Sequence, residues 1–257
     1  MISESTSTPS KLLYALYAPA VMFMGLSALA LLCLLSIPFF IVLHVLLPQS
    51  LHRRASRAAI GWGFRRYLAF LELVGCMHFD RQSIAEFPAD RSAIVIANHP
   101  SLLDAVILLA YLPNAVCVVK AALMRNILYC VGARMAGYVS NENPYFMMRD
   151  ARAELERGAN LVIFPESSRT TQWPINSFSG AAVLLSKQTA VPVQAVLIRY
   201  STVYLGKQWG LFRPPALPLY CKLTLGKQFV VSGDVVASTL EIENYFRTEL
   251  DPHGQGK

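Results

Sequence analysis

Ala93-Ile94-Val95-Ile96-Ala97-Asn98-His99-Pro100-Ser101-Leu102-Leu103-Asp104-Ala105 is the stretch that decides the fold of this chain. Ala93 to Ile96 form a short apolar run that reads as a buried strand. Pro100 is placed as the first residue of a following helix, where its missing N–H costs nothing. Leu102, Leu103, Ala105, Val106, Leu108 and Leu109 continue that helix as an apolar run. His99 then stands at the strand-to-helix turn, with Asp104 about one turn into the helix. An imidazole folded back over that turn meets the carboxylate, which fixes its tautomer and stabilises the imidazolium. That is the arrangement of a general base. Taken alone, the pair has a plainer reading: a histidine that only caps the helix.

Working outward, the same strand-then-helix alternation recurs. Strands are expected at Met77–Asp80, Ala93–Ala97, Ala115–Val119, Leu161–Phe164, Val193–Arg199 and Tyr220–Leu225. Helices are expected at Pro100–Tyr111, Ala121–Ala136, Pro144–Glu156, Gly180–Thr189 and Ser238–Leu250. Apolar strands alternating with helices predict an α/β fold, a mostly parallel sheet with helices on both faces. Leu205 to Leu219, rich in Gly, Pro and aromatics, read as a long surface loop that touches lipid.

Upstream the composition changes. Leu12 to Leu51 contain no Lys, Arg, Asp or Glu. This is too long for a signal-peptide core and long enough to enter a bilayer. Lys11 precedes it, and His52, Arg53, Arg54 and Arg57 follow. Basic residues on both flanks place both ends on the cytoplasmic side, which predicts a membrane-embedded helical hairpin broken at Ser36-Ile37-Pro38. A single spanning helix followed by an interfacial one is the alternative. Residues 53–75 mix five arginines with aromatic and aliphatic residues, as an interfacial amphipathic helix does. A helix packed on the following domain is the other reading. The expected organisation is therefore a flexible N-terminus (1–10), a membrane-embedded helical segment (11–52), a basic interfacial helix (53–75) and an α/β domain (76–257).

The composition agrees. The 257 residues are 54% hydrophobic and only 15% charged, with a net charge of +7. Mean hydropathy is +0.40 and the pI about 9.3. A greasy, basic chain suits an anionic membrane surface or an anionic substrate. No Lys/Arg stripe interleaved with aromatics suggests nucleic acid. Cys33, Cys76, Cys117, Cys130 and Cys221 are odd in number and scattered, so neither a disulfide framework nor a metal site is expected.

A second apolar run, Leu161 to Phe164, ends in Pro165-Glu166-Ser167-Ser168-Arg169-Thr170-Thr171. Open α/β sheets place their sites at the carboxyl ends of parallel strands, so His99, Asp104, Glu166 and Arg169 are expected to converge there. Arg169 offers bidentate recognition of phosphate. Glu166 would either bind acceptor hydroxyls or hold the loop in shape. A simple Glu166–Arg169 salt bridge across the turn is the plainer alternative.

Asn98-His99 followed by Asp104, then Phe164-Pro165-Glu166 with Arg169, resembles the glycerolipid acyltransferases typified by 1-acylglycerol-3-phosphate acyltransferase, with their N-H-x-x-x-x-D and F-P-E-G-T-R blocks. The resemblance covers roughly residues 76–227 and includes Val191-Pro192-Val193 at the start of a later strand. It implies a membrane-bound enzyme, its active site on the cytoplasmic face. The enzyme would transfer an acyl group from acyl-CoA or acyl-carrier protein to a lyso-lipid hydroxyl in phospholipid biosynthesis, with no cofactor and no metal. It also implies roles. His99 is the base and Asp104 orients it. Asn98, Glu166, Ser167, Ser168 and Arg169 bind the acceptor or shape its site, and Lys120 is a candidate phosphate contact.

Two departures bear on the acceptor. Ser167 stands where the family has Gly, and Asn141 where an Arg would help bind phosphate. They open a second acceptor class, an uncharged or zwitterionic lyso-lipid such as a lyso-aminolipid, and a third reading, an inactive lipid-binding relative. Lys120, Arg125, Arg134 and Arg149 are possible substitute charges or a solvated basic surface. A lipid hydrolase would need a nucleophile on a G-x-S-x-G elbow; Asn176-Ser177-Phe178-Ser179-Gly180 lacks the first Gly.

Overall fold

In the computed structural model the described residues are 8–88, 91–202, 204–210 and 213–251. Residues 1–7, most of the expected flexible N-terminus, lie outside them. The α/β region is a seven-stranded sheet. Its strands are β1 (Met77–Asp80), β2 (Ile94–Ala97), β3 (Ala115–Val119), β4 (Val139–Ser140), β5 (Asn160–Ile163), β6 (Val193–Tyr200) and β7 (Leu219–Phe229). Their order is β1-β7-β6-β2-β5-β3-β4. All neighbours pair in parallel except β6 and β7, which are antiparallel. The sheet is thus mostly parallel, as expected. Two-residue β4 was not anticipated, because it is too short to show a period.

The strands β2, β3, β5 and β6 alternate their side chains between two cores. On β2, Val95 and Ala97 join the core beneath α2 (Gln49–Leu73) and α3 (Asp104–Tyr111), while Ile94 and Ile96 join the opposite one. That second core is closed by α6 (Pro144–Glu156), α7 (Ala181–Thr189) and α8 (Val235–Leu250). β2 lies between β6 and β5 and is buried on both faces, so the chain leaving it at Asn98 emerges mid-sheet.

Four of the five expected helices have different bounds: α7 begins one residue later than expected and α8 three earlier, and the other two differ more. The stretch 121–136 is two helices, α4 (Ala121–Arg125) and α5 (Ile127–Ala136). Asn126 separates them because its side chain accepts from the Leu128 N–H and starts α5 afresh. Pro100 does not begin α3; regular helix starts at Asp104 itself.

The N-terminal segment corrects the expected hairpin. α1 (Thr8–Leu46) runs unbroken through Pro19 and Pro38, and Leu13–Leu46 is long and apolar enough to cross a membrane. Near Pro38 the Ser36 hydroxyl donates to the Cys33 carbonyl at 2.7 Å, one residue before the Leu34 carbonyl that an N–H at position 38 would serve. The reversal comes at Leu47-Pro48, and α2 returns antiparallel along α1. Gly25 is what lets the helices approach: a Cβ there would sit 3.1 Å from Leu71.

α2 spends three of its five arginines on the domain rather than on an outer surface. Arg57 is buried, donating from Nε to Ala136 O at 2.8 Å and from Nη1 to Asn114 Oδ1 at 3.0 Å. Arg53 and Arg57 both pair with the buried Glu154 of α6, which also accepts from Arg157 at 2.9 Å. Gly137, at φ +76°, ends α5 against this cluster; a Cβ would lie 2.5 Å from Arg53. Arg65 donates to Ala110 O at 2.7 Å. Arg66 stacks on Trp62 and Arg54 is exposed. Burial pulls the Arg57 guanidinium down from its ordinary pKa while Glu154 holds it up. Glu154→Ala strands that buried charge, so unfolding in detergent should show a loss of about 3 kcal/mol. An unchanged denaturation midpoint would show the cluster to be energetically idle.

Candidate active site

Ser101-Leu102-Leu103-Asp104 has S-x-x-D capping spacing, and that local rule builds the site. The Ser101 N–H donates to Asp104 Oδ2 at 2.7 Å, and the Ser101 hydroxyl accepts from the Leu103 N–H at 3.2 Å. The carboxylate that closes the helix start is therefore fixed before it meets His99. His99 Nδ1 lies 2.9 Å from the same Oδ2. An ionised carboxylate only accepts, so Nδ1 carries the proton and Nε2 keeps the lone pair. The other oxygen, Oδ1, accepts from the Tyr200 hydroxyl at 2.7 Å.

Asp104 is fully buried, while the His99 side chain keeps 16% of its surface exposed. The His99 ring stacks on Phe164, centroids 4.1 Å apart. Burial pushes the Asp104 carboxyl above the ordinary carboxylate range, and its bonds to His99, Ser101 and Tyr200 pull it back. Burial and the adjacent Asp104 hold the Tyr200 phenol well above its usual value, so Tyr200 remains a donor.

The turn after β5 meets the turn after β2, as expected, but through backbone. Glu166 Oε1 accepts from the His99 N–H and the Thr170 hydroxyl, both at 2.8 Å, and Oε2 accepts from the Asn176 N–H at 2.8 Å. The Thr170 N–H returns to the His99 carbonyl at 2.7 Å. Glu166 thus holds the loop in shape. It makes no salt bridge with Arg169, whose Nη1 donates instead to the carbonyls of Leu205 (2.8 Å) and Gly206 (3.1 Å). Asn98 is buried and doubly bonded to the Ile198 backbone, so it pins β2 to β6. The expected surface loop begins inward: Tyr204 and Leu205 are buried.

Ser167 is exposed with φ +56°, the left-handed conformation glycine favours. The chain has kept a glycine-type turn without the glycine. Ser167→Gly should raise stability by about 1 kcal/mol, the usual left-handed penalty. Thermal unfolding in detergent checks it, and a lowered midpoint would refute it. Ser168 is half-buried, its hydroxyl 3.3 Å from the Arg169 carbonyl.

Lys120 is exposed just after β3, on the same sheet edge. Arg125 pairs with Glu142, Arg149 with Asp150, and Arg134 reaches Met124 O. Asn141 accepts from the Ala121 N–H at 3.2 Å, tying the end of β4 to α4. Ser179 lies at the end of the long loop between β5 and α7, its N–H on Pro165 O, and not on a strand-to-helix elbow. Among the described residues no cluster of His, Cys, Asp or Glu could hold a metal. Four cysteines are buried and Cys130 partly so. Burial raises Cys117 to about 12 and Cys76 to about 11, which keeps both as unreactive thiols.

Sequence reasoning missed Tyr200, Ser101, Thr170 and Leu205. Two signals were available: the capping spacing at Ser101, and the two-residue alternation Val196, Ile198, Tyr200 that carries the phenol to the α3 face.

Residues 78–199 match the family model described as Acyltransferase. No curated protein matches the chain by sequence. Among solved structures, the 1-acyl-sn-glycerophosphate (LPA) acyltransferase PlsC from Thermotoga maritima superposes with a TM-score of 0.62. At 18% identity, the match covers 89% of this chain and 96% of that one. Residues 78–199 therefore fit an Acyltransferase family-model domain, and the chain shares the fold of that Thermotoga maritima enzyme.

Proposed function

We propose that this protein is a membrane-bound O-acyltransferase that moves a fatty acyl group from acyl-CoA or acyl-carrier protein to the hydroxyl of a lyso-phospholipid-like acceptor. The observation that carries this reading is the fully buried Asp104 holding the Nδ1–H of a partly exposed His99 at 2.9 Å. His99 Nε2 takes the acceptor hydroxyl proton as the oxygen attacks the thioester carbonyl. The C–S bond then breaks and the thiol leaves with a proton. No acyl-enzyme is required, because both substrates held together give the hydroxyl a high effective concentration. Arg169 and Lys120 supply positive charge for the acceptor head group. The family match and the likeness to a protein described as an LPA acyltransferase support the reading. In this reading the protein sits at a bilayer with its catalytic edge on the cytoplasmic face; the long apolar α1 supports the membrane part. The regional reading is accordingly a membrane helix through residue 46, the returning α2, and the acyltransferase domain from residue 76.

The test uses full-length protein in detergent with labelled acyl-CoA and acyl-carrier protein, offered a panel of phosphate-bearing, zwitterionic and neutral lyso-lipids. Label in a diacyl product supports the assignment. Thioester consumed at the same rate with no acceptor would make the protein a hydrolase instead.

A further inference from the structure

The segment that begins at Tyr204 makes a contact the acyltransferase reading does not use. Leu205 is a non-glycine residue at φ +51°, buried to 3% exposure. Such a conformation is strained for a residue that carries a β-carbon. In return its carbonyl faces two donors at once: the Leu102 N–H at 3.1 Å and Arg169 Nη1 at 2.8 Å. Leu102 sits inside the catalytic turn, between His99 and Asp104. One backbone oxygen therefore ties the catalytic turn to the arginine of the other loop, and Gly206 O adds a second bond to the same Nη1 at 3.1 Å. No described carboxylate pairs with Arg169, and no described group accepts from its Nε or Nη2. The Nε–Nη2 edge is the one that grips two oxygens of a phosphate side-on. Further along, the Leu217 N–H donates to the Tyr14 hydroxyl of α1 at 2.8 Å, bracing this stretch from the apolar helix.

We propose that Leu205 is a positioning residue for the acceptor. Its left-handed backbone holds Arg169 Nη1 so that the Nε–Nη2 edge receives a phosphomonoester. This rests on the acyltransferase reading and selects, among its acceptor classes, the lyso-lipid with a terminal phosphate.

Two substitutions separate backbone from packing. Leu205→Val keeps most of the apolar volume, but β-branching opposes positive φ. Leu205→Gly loses the packing and keeps the backbone. Initial rates are compared for a lyso-lipid phosphomonoester and a monoacylglycerol. The ratio of kcat/KM between them should fall about tenfold in Leu205→Val, through KM of the phosphate acceptor, one charge-assisted bond's worth. It should fall less than threefold in Leu205→Gly. A larger fall in Leu205→Gly, or equal losses on both acceptors, overturns the proposal and leaves Leu205 a packing residue. Wild-type protein that acylates only the neutral acceptor also overturns it, with the acyltransferase reading intact. Absence of transfer to any acceptor overturns that reading itself. Detergent unfolding of Leu205→Val, Arg169→Ala and the double variant then decides the contact alone. Destabilisation of the double variant below the sum of the singles is expected, and strict additivity overturns the Leu205–Arg169 tie whatever the turnover.

Discussion

Replacing His99 with alanine should lower acyl transfer about 10³–10⁴-fold while leaving the protein folded and membrane-associated. The size follows from removing a group that, alone among the described residues of the site, pairs a lone pair with a buried counter-charge. Folding is spared because the structural contacts at this position belong to the backbone. The His99 N–H still meets Glu166, and its carbonyl still receives the Thr170 N–H. Asp104 keeps its bonds from Ser101 and Tyr200, so the carboxylate is not left bare. What the side chain itself loses is the Nδ1–H bond to Asp104 and one stacked ring contact with Phe164. Radiolabel transfer and thermal unfolding on the same preparation give both halves of the result. A variant that transfers acyl groups at the wild-type rate would remove His99 from the mechanism.

The α/β alternation was legible because β2, β3, β5 and β6 are runs of four to eight mostly buried apolar residues, with little else they could form. The α1–α2 reversal was not, since proline marks both a break and a passage. Pro38 lies within the apolar α1, which runs on through it, whereas Pro48 precedes the first turn of α2, where no donor is needed. Arg53 and Arg57 share a helix face by spacing alone, but their carboxylate partner is about a hundred residues away. From sequence, a docking face and a membrane-surface face look the same. At the site, the two motifs marked the two loops, but sequence left open whether Glu166 would meet an acceptor or hold the loop in shape. Glu166 and Asn98 are polar residues beside the site whose hydrogen-bonding atoms are taken up by backbone. Only three-dimensional closure shows which polar residues remain available, and the conformation of Leu205 has no sequence signature at all.

Asp104 offers the second large effect, and its two substitutions should differ. Asp104→Ala removes both the charge and the atom that holds the His99 Nδ1–H, so transfer should fall about 10³–10⁴-fold. Asp104→Asn should fall less, about 10²–10³-fold. The Ser101 N–H demands an acceptor at the Oδ2 position, so the asparagine oxygen settles there, with the amide nitrogen toward Tyr200. That orientation still accepts from His99 and preserves the working tautomer; only the negative charge that stabilises the imidazolium is gone. Stability should move the other way. Burial raises the folded-state pKa of Asp104 above its ordinary value. Between those two values the native state binds more protons than the unfolded chain, so the slope of unfolding free energy with pH is negative. Above its raised folded-state value the wild-type protein therefore carries the full cost of a buried charge, and there Asp104→Asn should unfold at a higher temperature. On acidification the gap should close as pH falls from the raised folded-state value through the ordinary carboxylate range. Rates and unfolding midpoints across pH test this. A loss as large in Asp104→Asn as in Asp104→Ala would mean that the amide turns its nitrogen to His99 and that Ser101 does not govern its orientation.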